Sequence, residues 1–308
     1  MRGLCLILIL SFAVHADDLA DLRKAAESGN AKAQNSLGIT YQWGKGVERD
    51  YEQAAKWFRA AANQNYPSAQ FNLAVMYLEG QTGDADQVKA AAWFTLAKEN
   101  GDRSAEQALQ RMAEDARSEV PKSGKAEAGR MLLLGQEIKK DPPRGLQMLV
   151  SAAEEGSAYA ELVLCVAFVR GEGLAQDPQE GRKWCDRAVK HHHPAAPAFL
   201  GRELLTGEHL PQNRAEAIAL LTDIVPLGGS AYDAESFQLI GSTETDPVEA
   251  EKWFLIGVMR VCQRCAAAHN QQKAKLGKDQ LKLAVKLANQ WLHKHGDQRR
   301  IDSKKLGL

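Results

Sequence analysis

The sequence has 308 residues, of which 44% are apolar and 25% are charged, a balance typical of a folded soluble protein with a continuous core. This composition excludes intrinsically disordered and fibrous proteins. Its 39 basic and 39 acidic residues leave no net charge, which argues against a nucleic-acid-binding protein.

The first sixteen residues differ in composition from the rest of the chain. Arg2 precedes the apolar run LCLILILSFAV, and Val14-His15-Ala16 resembles a small-residue cleavage site. The run is shorter than the ~20 residues that span a bilayer. We therefore interpret residues 1–16 as a cleaved signal peptide rather than a membrane anchor. The mature protein is expected in the periplasm or the secreted fraction, without an integral membrane segment.

One helical motif recurs six times after this segment. Each copy begins with Asp or Asn, has a small residue four places later, and has a bulky pair seven and eight places later. The six anchors are Asp50, Asp86, Asp141, Asp177, Asn213 and Asp246, at spacings of 36, 55, 36, 36 and 33 residues. We predict each anchor to be a helix N-cap, because a short acceptor side chain can bond the free N–H groups of the first turn. A recurrent period in the thirties is typical of a helical solenoid.

A first helix is predicted upstream of each anchor. In the first copy, Leu37 and Tyr41 lie four residues apart and Gly44 follows, a pattern typical of a helix that ends at a glycine cap. Two helices form a hairpin whose apolar stripe can be buried only against the next hairpin. We therefore predict an all-α fold, an α/α solenoid of about six hairpins that forms a tetratricopeptide-like right-handed superhelix.

The spacing of 55 residues between Asp86 and Asp141 indicates an added helix in the array. We predict a break at residues 121–124, from Pro121 to Gly124, between a first run of repeats (residues 17–120) and a second run (residues 125–296) with a terminal capping helix. Residues 297–308 are predicted to be a basic tail. Its charge fits either a solvated, frayed end or attraction to an anionic envelope surface.

The repeat resembles the Sel-one-like repeat family, a relative of the tetratricopeptide repeats. The features that carry the resemblance are Leu37-Gly38, Tyr41, the Gly44-x-Gly46-Val47 loop, Asp50, Ala54 and Trp57-Phe58. The resemblance implies a non-enzymatic protein-binding scaffold, often exported in bacteria, that serves as an adaptor, regulator, receptor or inhibitor. It carries over no catalytic residue and no cofactor.

Four cysteines remain after the signal peptide, in a compartment that favours disulfides. Cys165 and Cys185 fall on facing helices of one hairpin, so they are either a disulfide or two small buried residues. Cys262 and Cys265 have oxidoreductase spacing, but a redox pair requires a helix N-terminus that lowers a thiol pKa. We predict this pair at the end of a second helix and interpret it as a structural disulfide or two thiols rather than a redox site.

The run His191-His192-His193 lies at the predicted turn between the fourth and fifth repeats. Adjacent side chains diverge too far to form a good metal site without other ligands. We therefore interpret the run as a surface turn and expect no metal.

The first helices carry apolar residues on the side turned away from the second helices. These residues are Ile39, Trp43, Phe71, Val75, Leu78, Leu162, Val166 and Val169. A purely solvated face would be polar. Either neighbouring first helices pack on each other, or a concave groove offers these side chains to a protein partner; Trp43, Phe71, Leu78, Val166 and Val169 are the residues predicted to line it.

We therefore expect an exported, non-enzymatic protein that recognises a specific protein partner. By analogy alone, we favour an immunity or inhibitor protein that neutralises a secreted toxin or effector. An adaptor or regulator in periplasmic envelope assembly or signalling is the alternative within this class. An envelope hydrolase or a thiol redox protein is the alternative from a different class.

Overall fold

The computed structural model describes residues 16–115, 119–223, 231–259, 262–295, 297 and 300–302. In these ranges it contains sixteen helices and no strand, and consecutive helices pair into hairpins. This confirms the prediction of an α/α solenoid of about six repeats. None of the described helices combines the length and apolar character needed to cross a membrane. The predicted signal peptide, apart from Ala16, and most of the predicted basic tail lie outside the described residues.

The helices follow one another along the chain with short connections. They are α1 (Ala16–Glu27), α2 (Ala31–Trp43), α3 (Tyr51–Ala62), α4 (Pro67–Leu78), α5 (Gln87–Glu99), α6 (Arg103–Asp115), α7 (Glu119–Leu134), α8 (Pro142–Glu154), α9 (Ala158–Arg170), α10 (Pro178–Lys190), α11 (Ala196–Thr206), α12 (Arg214–Asp223), α13 (Ala231–Ser242), α14 (Pro247–Met259), α15 (Gln263–Lys273) and α16 (Lys278–Lys294). The repeats are the pairs α2/α3, α4/α5, α7/α8, α9/α10, α11/α12 and α13/α14.

The six anchor residues all accept a hydrogen bond from the first turn of the helix that they precede. The side-chain oxygens of Asp50, Asp86, Asp141, Asp177, Asn213 and Asp246 accept from backbone N–H groups at 2.8 to 3.3 Å. In the first five, the anchor's own N–H also donates to the carbonyl nine residues earlier, for example Asp50 to Tyr41 at 3.0 Å. The anchor therefore fixes both the start of the second helix and the path of the loop before it.

A backbone position in the left-handed region ends the first helices. Gly44 has φ +68° and its N–H donates to the carbonyl of Thr40, and Gly207 has φ +71° and donates to Glu203. Glycine adopts this conformation without the steric cost that a β-carbon would bring. Glycine at these sites therefore lets the chain reverse towards the second helix.

The described residues form two compact units. The first extends to Leu164 and includes Glu172–Leu174, and the second comprises Cys165–Gly171 and the chain from Ala175 onwards. In the first unit, α5 is buried on all sides, with Trp93 and Phe94 at its centre. In the second unit, Phe237, Trp253 and Trp291 form an aromatic cluster with ring centroids 5.7 to 6.2 Å apart.

Residues 121–124 are not a break, because α7 runs continuously through them. Pro121 lies in the first turn of α7, where a missing N–H removes no intrahelical bond. Gly124 lies where α7 touches α5, and a β-carbon there would come within 2.3 Å of the Ala91 β-carbon. Both residues are therefore compatible with the helix that they were predicted to interrupt: Pro121 is tolerated in its first turn, and Gly124 allows its close contact with α5. The assignment of residues 17–120 and 125–296 to two runs stays a prediction.

The added helix is present as α6, and α16 is the last helix of the described residues. α6 packs Ala105, Ala108, Leu109 and Met112 against the core of the first unit. In the second unit, the backbone of Ile301 is held by the side chain of Asn289 through hydrogen bonds of 2.8 and 3.1 Å. At Ile301, the predicted tail is therefore bonded to α16 rather than frayed.

Candidate binding surface

In the first unit, polar side chains connect α2 and α4, the first helices of the first two repeats. The Asn72 side-chain amide donates to Asn35 Oδ1 at 3.0 Å, and Gln42 Nε2 donates to Gln81 Oε1 at 2.9 Å. These two polar bridges join α2 to α4 and to the loop that follows it. Polar side chains therefore hold the first helices of the first two repeats next to each other.

Three of the predicted surface residues are half-buried against the core. Ile39, Phe71 and Val75 pack against the core of the first unit. The Phe71 ring lies 5.2 Å from the Phe94 ring, centroid to centroid. Phe94 belongs to α5, the second helix of the same repeat, so Phe71 is not turned wholly away from it. Because all three side chains are engaged with the core, they do not form an open groove.

Trp43 and Leu78 are different, because both are exposed. Trp43 is 66% exposed and Leu78 is 39% exposed. They occupy the last positions of α2 and α4, the two helices that the polar bridges hold together. Large apolar side chains at adjacent helix ends are a candidate contact site for another protein.

A cavity of about 340 Å³ opens beside Leu78. Its lining residues are Leu78, Gln87, Phe94, Ala108, Arg111, Met112 and Val120. A cavity of this size lies within the range of small-ligand sites and can accept a large apolar side chain. We call Trp43, Leu78 and this cavity the first-helix surface.

The contribution of α6 and α7 to this surface was missed at the sequence level. Met112 and Val120 belong to the segment that interrupts the repeat, so adding a repeat length to Trp43 or Leu78 cannot reach them. The signal that could have found Met112 is the apolar spacing of Ala105, Ala108, Leu109 and Met112 along α6, which marks a face packed on the core.

The remaining predicted surface residues lie on α9, and one of them is wrongly assigned. Leu162 and Val166 are half-buried. Val169 is fully buried, and a β-carbon on Gly181 of α10 would lie 2.7 Å from Val169 Cγ2. Since α10 covers Val169, this residue cannot line a groove.

A polar cluster in the first unit ties the loop after α7 to two earlier helices. Glu137, at φ +63°, accepts hydrogen bonds from Lys89 Nζ at 3.1 Å and from the Tyr77 hydroxyl. Burial raises the pKa of Glu137, but the hydrogen bonds from Tyr77 and Lys89 lower it overall. A carboxylate held in its charged form by these donors fits a structural tie rather than a proton-transfer group.

The histidine run lies at a turn, and His192 occupies its left-handed position at φ +58°. His191 and His192 are exposed, whereas His193 is half-buried and its Nδ1 accepts from the Ala195 N–H at 3.2 Å. Across the described ranges, no three His, Cys, Asp or Glu side chains are arranged to hold a metal ion. Burial lowers the pKa of His193 from its ordinary value of 6.5.

Acidification is expected to destabilise the protein in part through His193. Because the pKa of His193 is lowered in the folded state, the unfolded chain binds the proton more readily. The contribution of neutral His193 to the free energy of unfolding is therefore complete above pH 6.5. It is lost as the pH falls towards the lower pKa of His193 in the folded protein. Urea unfolding at neutral and acidic pH should show a weaker pH dependence for His193→Asn, which keeps an acceptor for Ala195. The exposed control His192→Asn should retain the wild-type dependence; equal profiles for all three proteins would contradict this role.

The four cysteines are paired within the second unit. The Cys165–Cys185 disulfide joins α9 to α10 with Cα atoms 4.8 Å apart, and both residues are fully buried. The Cys262–Cys265 disulfide lies at the start of α15, where Cys262 is the N-cap. Its predicted place at the end of a second helix is wrong, because α14 ends at Met259 and a new helix begins at Gln263.

Comparison with known proteins gives a family match over more than half of the chain. The Sel1 repeat matches residues 31–66, 67–102, 124–157, 158–193, 194–222 and 235–258. The first two matched segments each begin where a first helix begins and contain one helical hairpin. No curated protein is similar enough to be matched.

Three solved structures are similar to this chain at low sequence identity. A Sel1 repeat protein from Oxalobacter formigenes is 24% identical over 79% of this chain and 93% of its own, with a TM-score of 0.40. The protective antigen c5321 of uropathogenic Escherichia coli is 21% identical over 90% of this chain and 87% of its own, with a TM-score of 0.34. A Sel1 repeat protein of Klebsiella pneumoniae subsp. pneumoniae is 19% identical over 73% of this chain and 98% of its own, with a TM-score of 0.31.

Proposed function

The chain belongs to the Sel1 repeat family, and we propose that it is an exported, non-enzymatic scaffold that binds one protein partner through the first-helix surface. Proteins of this family are generally non-catalytic interaction scaffolds. The observation that carries the proposal is the exposure of Trp43, whose side chain is 66% accessible at the end of a well-packed helix. Tryptophan is highly buried on average in folded proteins, so its exposure beside other apolar groups favours a binding role.

The geometry supports a partner that contributes apolar side chains. Trp43 supplies a large flat surface, and tryptophan is among the residues that most often dominate the binding energy of protein interfaces. Leu78 leads into the cavity lined by Phe94, Met112 and Val120, which can receive an aliphatic or aromatic side chain of the partner. A central apolar anchor of this kind is typical of specific protein recognition.

The proposal also includes where the protein is located and which class of protein it binds. The apolar run in residues 1–16 supports cleavage and release into the periplasm or the secreted fraction. Within that compartment, we propose a secreted toxin or effector as the partner, with this chain as its immunity protein or inhibitor. The alternative is an envelope protein bound by this chain as an adaptor. Both partners are expected to bind the same surface.

Affinity capture with matched baits tests the proposal. The mature chain, residues 17–308, is compared with Trp43→Ala/Leu78→Ala as baits for the organism's envelope and secreted fractions. The control bait is Val258→Ala/Leu283→Ala, because these two residues are the other large apolar side chains exposed among the described residues, at 37% and 46%. We expect one stoichiometric protein on the wild-type and control baits and its loss from the Trp43/Leu78 bait.

Two other results of this capture experiment would contradict the proposal. A partner retained by the Trp43→Ala/Leu78→Ala bait but lost from the control bait would place recognition on the second unit and contradict the first-helix surface. The absence of any saturable partner, under oxidising and reducing conditions alike, would contradict the scaffold function itself. The identity of a captured partner separates the inhibitor from the adaptor.

A further inference from the structure

The Cys262–Cys265 disulfide lies in a setting that favours thiol chemistry. Cys262 is the N-cap of α15, a helix of 11 residues, and its Sγ accepts a hydrogen bond from the Cys265 N–H at 3.0 Å. The free N–H groups and the macrodipole at a helix N-terminus stabilise a thiolate. If the disulfide opens, the sulfur of Cys262 therefore has a donor already in place for its negative charge.

The two cysteines differ in their surroundings and slightly in their exposure. Cys262 retains 5% exposure and lies next to the exposed residues Gln263 and Arg264, whereas Cys265 is fully buried. A β-carbon on Gly257 would lie 2.3 Å from Cys265 Sγ, so α14 closes directly over this sulfur. Since only Cys262 retains any exposed surface, it is the residue that a thiol from another molecule would attack, with Cys265 as the leaving sulfur.

A buried acid–base pair lies one helical turn from Cys265. His269 follows Cys265 by four residues, so both lie on the same face of α15. Its Nδ1 is 2.5 Å from Oε1 of Glu251, a fully buried residue of α14. The second carboxylate oxygen, Glu251 Oε2, has no hydrogen-bond partner among the described residues. An unsatisfied buried carboxylate oxygen is costly, and such groups in native proteins often have a chemical role.

We propose that Cys262 and Cys265 form a thiol–disulfide exchange site for a dithiol partner, with Glu251 and His269 as residues that position and transfer the proton of Cys265. This activity goes beyond the non-enzymatic scaffold role proposed above. It does not depend on the first-helix surface, because every residue involved belongs to the second unit.

The reaction balances without any additional reagent. A thiolate of the partner attacks Cys262 Sγ, the disulfide bond breaks, and the electron pair passes to Cys265, which takes a proton through the His269–Glu251 pair. The partner's second thiol then attacks the mixed disulfide and releases Cys262 as a thiolate that accepts from the Cys265 N–H. Two electrons pass from the dithiol to the protein and the partner leaves as a disulfide; of the two thiol protons, one ends on Cys265 by way of the His269–Glu251 pair and the other is released to water. The reverse sequence reduces a disulfide of the partner and restores the Cys262–Cys265 disulfide.

The Cys165–Cys185 disulfide provides an internal control for the reaction. The folded oxidised protein is treated with dithiothreitol, and cysteine alkylation is followed with time by mass spectrometry. We expect Cys262 and Cys265 to be reduced at least about tenfold faster than Cys165 and Cys185, since exchange requires an accessible sulfur and a stabilised thiolate. Equal rates for the two pairs, or faster reduction of Cys165–Cys185, would overturn the proposal.

Two single-cysteine variants test which sulfur is attacked. With oxidised glutathione as the probe, Cys265→Ser should form a mixed disulfide at Cys262, whereas Cys262→Ser should leave Cys265 unmodified in the folded protein. Modification of Cys265 at the same rate as Cys262 would contradict the assignment. Circular dichroism establishes that each variant is folded, and a variant that fails to fold is replaced by the corresponding alanine variant.

The role of the acid–base pair has a separate readout. Glu251→Gln keeps the shape and the hydrogen bond to His269 but removes the ionisable carboxyl group through which the proton reaches Cys265, so reduction by dithiothreitol should slow by about tenfold or more. Glu251→Asp should recover part of the rate. The control Glu203→Gln, at another buried glutamate of the same unit, should exchange at the wild-type rate. A wild-type rate for Glu251→Gln, or equal slowing by the control, would overturn the role of this pair.

Discussion

Replacing Trp93 by alanine is expected to destabilise the first unit by about 3 to 5 kcal/mol. Trp93 is fully buried at the centre of α5, a helix in contact with α4, α6 and α7, and truncation would leave a cavity that these helices cannot close without separating. The measurement is the free energy of unfolding from urea denaturation. Trp43→Ala is the matched control, because this exposed tryptophan should contribute within about 0.5 kcal/mol to stability.

A second variant at the same position refines the test. The Trp93 Nε1–H is buried without a hydrogen-bond partner among the described residues. Trp93→Phe removes this unsatisfied donor while filling most of the space, so it should cost clearly less than Trp93→Ala. If Trp43→Ala were as destabilising as Trp93→Ala, the assignment of one tryptophan to the core and the other to a binding surface would be wrong.

Replacing Gly145 by valine is expected to cost about 3 kcal/mol, at the upper end of the usual cost of overpacking. A β-carbon at Gly145 would lie 2.7 Å from both the Gly129 carbonyl oxygen and the Leu133 nitrogen. Both are backbone atoms of α7, so the strain cannot be relieved by rotating a side chain and α8 would have to move away. Thermal and urea unfolding of the purified variant measure the effect.

The residue at the equivalent position of another repeat provides the control for Gly145→Val. Ala54 occupies the same position of the first repeat and is fully buried, and Ala54→Gly should cost only about 0.5 to 1 kcal/mol through backbone entropy. A wild-type unfolding midpoint for Gly145→Val would show that α7 and α8 are not in the close contact described above.

The repeat and its caps could be predicted from the sequence because their chemistry is local. Asp50 and Asp177 bond to N–H groups three residues later, so residue type and spacing suffice to place the start of each second helix. The same local signals were misleading at α7. Pro121 and Gly124 usually punctuate helices, but here the first turn tolerates the proline, and the contact with Ala91 requires the glycine.

The position of Cys262 could not be predicted, because cysteine is not among the usual N-cap residues. The apolar pattern of α14 approaches the Cys262–Cys265 pair without a glycine or proline stop between Met259 and Cys262. Only the structure shows that the Cys262 sulfur accepts the N–H bond of a new helix. This placement changes the chemistry available to the pair, because the N-terminus of a helix stabilises a thiolate, whereas the C-terminus does not.

Surface exposure could be predicted less well than the fold. Gln42, Leu78 and Val169 occupy one equivalent position in three repeats, yet they are 6%, 39% and 0% exposed. Burial at this position depends on which helix packs beside it: α10 covers Val169, and the added segment forms a cavity next to Leu78. Residue type and register specify the helix face, but the neighbours decide whether it remains accessible.

The most direct test of the binding function is a titration of the purified partner against this chain and its variants. If the first-helix surface recognises the partner, Trp43→Ala should raise Kd by about 30-fold or more, which corresponds to a loss of about 2 kcal/mol, with an unchanged free energy of unfolding. Leu283→Ala should bind as the wild type does. An unchanged Kd for Trp43→Ala, with a weakened complex for Leu283→Ala, would contradict the account.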